Sequence, residues 1–368
     1  MASKSIFIAF TGPGIDQAEP VCKIADGYEC WNLKKFDLDG FIASVQSRIP
    51  PVNENVLGNY KLAPGAPQDP FAITDGQYGA AAWGLLLPHD IPEVIVDGYG
   101  ETLFLLNLYS PYFLYPCFYV TDLGIWRRDH GKRSEIYFYA QQQSARFRRE
   151  EFVKYHQMLK SEAGYGSWNA YRMKCWSTED WRLLLASILY VRLQDYENSK
   201  EFITWPREAA DMATILETLF TAGTDDNSEV GYKLRKRAAA LVAFRQPGVE
   251  REIKTLYKER SSFVHGSYFQ SLAKKSKIKD RVGELPLPPF GDLYRQKECV
   301  REALAAYLYL NKIRRSTDEF KGFGTVIEIL EEAIINLEVR EKVRWHVELI
   351  LSLCAASAAP APTEPAGS

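Results

Sequence analysis

Two side chains five residues apart, Arg260 and His265, carry the most readable chemistry in this chain. Around them Ile253, Leu256, Tyr257 and Val264 recur at helical spacing over 249–265 and define an apolar stripe. Arg260 falls on that stripe, three residues after Tyr257 and four before Val264. An arginine in such a position needs a partner or a task. Its guanidinium can grip a phosphate through two parallel hydrogen bonds and stabilise charge that builds in a transition state. His265 sits at the predicted helix end, because Gly266 suits the position just past a C-terminus. The carboxyl end of a helix favours a cation, which is expected to move the imidazole toward neutrality or above. There it can take or give a proton. With RNA, a base beside the 2′-hydroxyl is enough to start attack on the adjacent phosphorus. The pair therefore suits a phosphodiester and calls for no metal. Hydroxyls at Ser261 and Ser262 lie between the two groups.

The elements that hold this segment are legible from about residue 145 onward, where Gly and Pro thin out and helical periodicity takes over. Ser177-Thr178-Glu179-Asp180 has capping-box spacing and opens a helix predicted to run to about 198. Trp205-Pro206 places a proline in the first turn of the next helix, which carries Met212, Leu216, Leu219 and Phe220 on one face. A third helix over 229–245 is stopped by Gln246-Pro247-Gly248, and the helix over 249–265 follows. After a basic, Pro-rich loop, helices are predicted over 293–315 and 325–352. Residues 355–368 are mostly Ala and Pro and read as a disordered tail.

The first half is different. It is rich in Gly, Pro and aromatics, and short apolar runs at 6–10, 94–96 and 136–139 predict strands joined by long loops. Residues 102–121 carry no charge and could span a bilayer, but Pro111 and Pro116 would break a single helix. A buried pair of strands turning near Ser110-Pro111 is expected instead. The predicted class is α+β, with a mixed, strand-rich N-terminal domain over 1–170 and an all-α bundle over 177–352.

Composition narrows the function. A length of 368 residues suggests about two domains. Hydrophobic residues at 46% and charged residues at 25% exclude wholesale disorder, a collagen-like fibre and a multispanning membrane protein. The net charge of −2 creates no overall positive field, so any polyanion must meet a local patch. Two basic runs offer one: Lys233, Arg235, Lys236 and Arg237, then Lys274, Lys275, Lys277, Lys279 and Arg281. Such runs are usually solvated faces, yet the second directly follows the Arg-His segment and could track an RNA backbone. From them Lys233, Arg237, Lys274, Lys275 and Lys277 are the candidate RNA contacts. The aromatics Tyr109, Tyr112, Phe113, Tyr115, Phe118 and Tyr119 could stack on bases but are expected to pack a core. The six cysteines show no C-x-x-C spacing, which points to reduced, buried thiols in a cytoplasmic protein. Five scattered histidines argue against a metal site. Gly12-Pro13-Gly14 lacks the third glycine of a dinucleotide fingerprint, and Gly131-Lys132-Arg133-Ser134 lacks the upstream glycine of a P-loop. No cofactor is expected.

The run Tyr257-Lys258-Glu259-Arg260-Ser261-Ser262-Phe263-Val264-His265-Gly266 resembles the Arg-x-x-x-x-His signature of HEPN domains, most closely the ApeA-type branch. Leu216-Glu217-Thr218-Leu219-Phe220 and the run at 232–241 add to the likeness, which covers about 205–315. The resemblance implies an all-α bundle that pairs as a homodimer. Two Arg-His motifs then face each other in a cleft and cut RNA without metal, leaving a 2′,3′-cyclic phosphate. It also implies a toxin-like role in bacterial defence against phage by abortive infection. Arg260 and His265 carry over as the catalytic pair, with Ser261 and Glu217 as supporting candidates. Glu217 either orients Arg260 or stands exposed. Ser261 departs from the Asn, Asp or His that many HEPN nucleases have there. Tyr268 lies three residues past the histidine, where a related branch has Tyr two past it, so no role is assigned to it. The N-terminal domain would sense a phage-derived or nucleotide trigger, or hold the nuclease idle. The rival reading is a non-catalytic HEPN scaffold that binds RNA or a protein, with Arg260 paired for structure alone. A third is an effector acting on one structured RNA such as tRNA.

Overall fold

A computed structural model describes residues 4–11, 21–25, 28–32, 83–89, 104–105, 108–109, 115–121, 124–127, 149–159, 181–196, 204–221, 229–265 and 290–354. The chain divides into two compact units: Met1–Gly98 with Tyr109–Gln157 and Leu353–Ser368, and Tyr99–Leu108 with Met158–Ser352. The predicted domain bounds, 1–170 and 177–352, fall in part on residues outside those described.

The first unit contains a six-stranded sheet of β1 (Lys4–Thr11), β2 (Val21–Ala25), β3 (Tyr28–Asn32), β4 (Trp83–His89), β5 (Tyr115–Thr121) and β6 (Gly124–Arg127), in the order β2-β3-β4-β1-β5-β6. Every pairing is antiparallel. β1 lies inside, paired with β4 from Lys4↔His89 to Phe10↔Trp83, as suits its apolar run. Its register with β5 shifts between Ala9↔Phe118 and Phe10↔Pro116. Pro116 has no N–H to give the ladder, so the irregularity falls where a bond could not form. The predicted strands at 94–96 and 136–139 lie outside the described residues.

The second unit contains helices, numbered after α1 (Arg149–Leu159): α2 (Trp181–Tyr196), α3 (Thr204–Phe220), α4 (Val230–Val242), α5 (Val249–Val264), α6 (Phe290–Ser316), α7 (Val326–Ile335) and α8 (Leu337–Leu353). Central among these is α6, where Val300, Ala303, Leu304, Ala305, Ala306 and Leu310 are all fully buried. A helix buried on every side must be surrounded, and α3, α4, α5 and α7 all pack on it. α3 is held by its acidic positions as well as its apolar face. Glu208 pairs with Lys297 of α6 at 2.9 Å, and Asp211 takes the Nε of Arg192 of α2 at 2.7 Å.

Two expectations are corrected. The pair of strands predicted over 102–121 is half right. Tyr115–Thr121 is β5, but Phe104, Leu105, Leu108 and Tyr109 are helical and buried. Phe104 packs edge-on against Tyr190 at 6.2 Å, and Arg301 donates to the carbonyl of Leu108. The helix predicted over 325–352 is two helices that meet at Asn336, whose backbone is extended (φ −106°, ψ 115°). Asn336 closes α7 by donating to Glu332 at 2.9 Å and opens α8 by accepting from the N–H of Glu338 at 3.0 Å. Arg340 reaches back to the free carbonyls of Ala333 and Ile334. Among the described residues no helix is long and apolar enough to cross a membrane.

Candidate functional site

α5 owes its position to its first half. In the turn before it, Arg245 Nε and Gln246 Nε2 donate to the two oxygens of Glu302 on α6, at 2.6 and 2.8 Å. Glu302 is buried; burial and the neighbouring Glu298 push its carboxyl above the ordinary range, against the pull of Arg301, Arg245 and Gln246. Val249, Ile253 and Leu256 then seat the helix in the core. Past Leu256 the burial stops. Tyr257 is half-buried and Val264 is 61% exposed, so the expected stripe does not reach the end of the helix. Val264 is a correction: its spacing fits the stripe, but its side chain is exposed.

Arg260 stands in this opening half. Its Nη1 lies 3.1 Å from Oε1 of Glu217 on α3, with side-chain exposures of 31% and 17%. The guanidinium carbon sits 5.8 Å from the centre of the Tyr257 ring. Burial raises the Glu217 carboxyl above its ordinary value, and the Arg260 charge pulls it partly back. Of the two roles open to Glu217, the ion pair is the one observed. A guanidinium has five N–H donors in a fixed plane. Glu217 engages one edge, which leaves donors on a partly exposed side chain for an incoming anion.

His265 closes α5 with a non-helical backbone (φ −88°, ψ 9°), and its N–H donates to the Ser261 carbonyl at 3.0 Å. The side chain is exposed, and its imidazole has no partner among the described residues. Ser261 is half-buried. Five residues turn a helix through about 500° and advance it about 7.5 Å, so Arg260 and His265 leave α5 in different directions. No hydrogen bond joins them among the described residues. Within one chain the two groups are neighbours in sequence and are not assembled into a dyad.

The candidate RNA contacts fare unevenly. Lys233 is half-buried on α4. Arg237 is corrected: it is 1% exposed, donates to the Phe220 carbonyl and pairs with Glu331 of α7. A guanidinium spent inside the bundle cannot meet a polynucleotide. Lys236 is half-exposed and tied to Glu250 at 3.1 Å. Lys274, Lys275 and Lys277 lie outside the described residues. Tyr109 is fully buried edge-on to Tyr155, at 5.5 Å.

Two clusters are invisible in the linear pattern. Arg301 is buried between Glu298 and Glu302, with its Nε donating to Glu298 at 2.9 Å. His346 on α8 is buried, and its Nε2 lies 2.7 Å from Glu319, ringed by Tyr309, Phe320 and Trp345. Glu298 and Arg301 three apart on a helix could signal an i,i+3 pair, but nothing in the sequence announces that it is buried. Glu319 and His346 are too far apart in sequence for any spacing rule. No family model matches the chain, and no curated protein or solved structure matches it.

Proposed function

We propose that this chain is a metal-independent endoribonuclease of HEPN type, acting as a homodimer and serving as an abortive-infection effector against phage. The observation that carries the reading is at the open end of α5. Arg260 is steered by a single carboxylate while remaining 31% exposed, and an exposed His265 ends the same helix. In this reading the imidazole of one chain removes the 2′-hydroxyl proton, and the 2′-oxygen attacks the neighbouring phosphorus. The bond from phosphorus to the 5′-oxygen breaks, and that oxygen takes up a proton. The products are a 2′,3′-cyclic phosphate and a 5′-hydroxyl. Arg260 neutralises charge on the pentavalent phosphorus, and Glu217 fixes its orientation. Because Arg260 and His265 diverge on one helix, a partner's copy is needed to place both on one phosphate.

The test uses the full chain with tRNA or single-stranded RNA in EDTA, and phage-challenged bacteria to supply any trigger. Cleavage is expected to survive EDTA and to fall at least about 100-fold in Arg260→Ala and in His265→Ala, with circular dichroism unchanged. Circular dichroism that collapses in Arg260→Ala, or RNA bound and left intact during challenge, favours the scaffold reading. That reading has its own observation: the Glu217 pair and the Tyr257 ring are enough to account for Arg260 structurally.

A further inference from the structure

Four of the seven exposed large apolar side chains among the described residues lie at the end of α7 and along α8: Ile335 (80% exposed), Leu337 (65%), Trp345 (59%) and Leu349 (40%). Scattered singly they would mean nothing, but together they make a patch of the kind that marks an interaction site. Trp345 and Leu349 are four residues apart and share one face of α8, and Leu337 lies about 80° around the helix from Trp345. An open cleft of about 670 Å3 lies along this face, lined by Glu319, Leu337, Glu338, Glu341, Lys342 and Trp345.

The cleft is pre-shaped. The Trp345 ring meets the His346 imidazole nearly edge-on, with centres 4.6 Å apart, and His346 is buried and fixed by Glu319 at 2.7 Å. An aromatic side chain held this way loses little freedom when a partner covers it. Charge then selects the partner. Three carboxylates face one ammonium, and Lys342 is already committed to Glu338 at 2.6 Å. Glu341 makes no ion pair or hydrogen bond among the described residues.

We propose that this cleft docks a basic amphipathic segment of a partner protein. A large apolar side chain of that segment would cover Trp345 and Leu337, and a lysine or arginine one turn away would meet Glu341. The apolar face from Leu337 to Leu349 spans about 18 Å of helix, the reach of three turns in a helix-in-groove complex. A small ligand would need an enclosed pocket, and this one opens to solvent. A second copy docked here about a two-fold axis would set the same carboxylates against each other. An anionic membrane would be repelled for the same reason. The site does not depend on Arg260 or His265.

The experiment is a selection from a displayed library of random 16-residue peptides on the purified full chain. Winners are resynthesised and measured by fluorescence polarisation against wild type, Trp345→Ala and Glu341→Lys. Glu341 is exposed and makes no ion pair or hydrogen bond among the described residues, although its charge acts on Arg344, so its reversal tests charge even if Trp345→Ala is unstable. The expected winners pair a bulky apolar residue with Lys or Arg three or four positions away and bind at least about tenfold more weakly to both variants. Acidic or neutral winners would overturn the proposal. So would a selection in which no peptide prefers wild type to Glu341→Lys, or a wild-type dimer in light scattering that Trp345→Ala dissolves.

Discussion

At the start of α5, two side chains of the preceding turn converge on a buried carboxylate, Glu302; at its end, a half-exposed arginine meets a half-buried carboxylate, Glu217. Both ends use the same charges for different purposes. Around Glu302 the donors are committed: Arg301 gives its Nε and Nη2 to Glu298 and its Nη1 to the Leu108 carbonyl. Arg237, on the neighbouring α4, is likewise spent on the Phe220 carbonyl and Glu331. Arg260 has one carboxylate partner and an aromatic ring. A guanidinium buried among carboxylates and carbonyls it is bonded to can only hold structure. One that is steered but not saturated can also receive an anion. The helix is thus fastened where nothing needs to enter and left open where its two chemical groups lie.

The largest effect is expected at Arg301. Arg301→Ala leaves Glu298 buried without its close partner, beside a Glu302 that is only 1% exposed and keeps Arg245 alone. Removing one partner of a buried ionic set costs about 3–5 kcal/mol. Urea unfolding should show that loss, or the variant should fail to accumulate as folded protein. A cost below about 1 kcal/mol would mean the carboxylates simply take up protons, and the fastened end would not be fastened by charge.

Arg260→Ala should cost far less, about 1 kcal/mol or under, because a partly exposed pair is screened and its loss leaves Glu217 near water. Unfolding of this variant is measured beside that of Arg301→Ala, and the gap between the two is the prediction. If Arg260→Ala costs as much as Arg301→Ala, the open end is structural and the arginine is not kept for a ligand.

What the sequence could foretell follows the same division. The start of α5 was legible because a proline and a glycine stop α4 and because Ile253 and Leu256 repeat at helical spacing. Arg260 stood out only by contrast with that stripe. The predicted stripe runs one turn too far, because spacing cannot say that Val264 is exposed. Arg237 looked like part of a solvated basic run, and its burial depends on Phe220 and on Glu331, 94 residues away. The break at Asn336 carried a signal, an N-cap residue followed by Leu337-Glu338, but strong apolar periodicity on both sides masked it. The cleft beside Trp345 needs Glu319 and Glu341 brought together, which no local pattern supplies.

The smallest effect is expected at Glu217. Burial raises the Glu217 carboxyl above the ordinary 4.5, with Arg260 acting in the opposite direction. A carboxyl raised in this way binds its proton more tightly in the fold than in the unfolded chain. Its contribution to stability is therefore fully present below pH 4.5 and is lost as pH rises through the folded-state value. Glu217→Gln keeps the shape and removes the titration. The stability of wild type relative to this variant should fall as pH is raised from 4.5, then level off, by less than the cost of Arg260→Ala. Thermal unfolding of both proteins across that window measures it. A difference that grows with pH would show the Arg260 charge outweighing burial. The pair would then be a stabilising lock, and the guanidinium would be held too firmly by Glu217 to be offered to a phosphate.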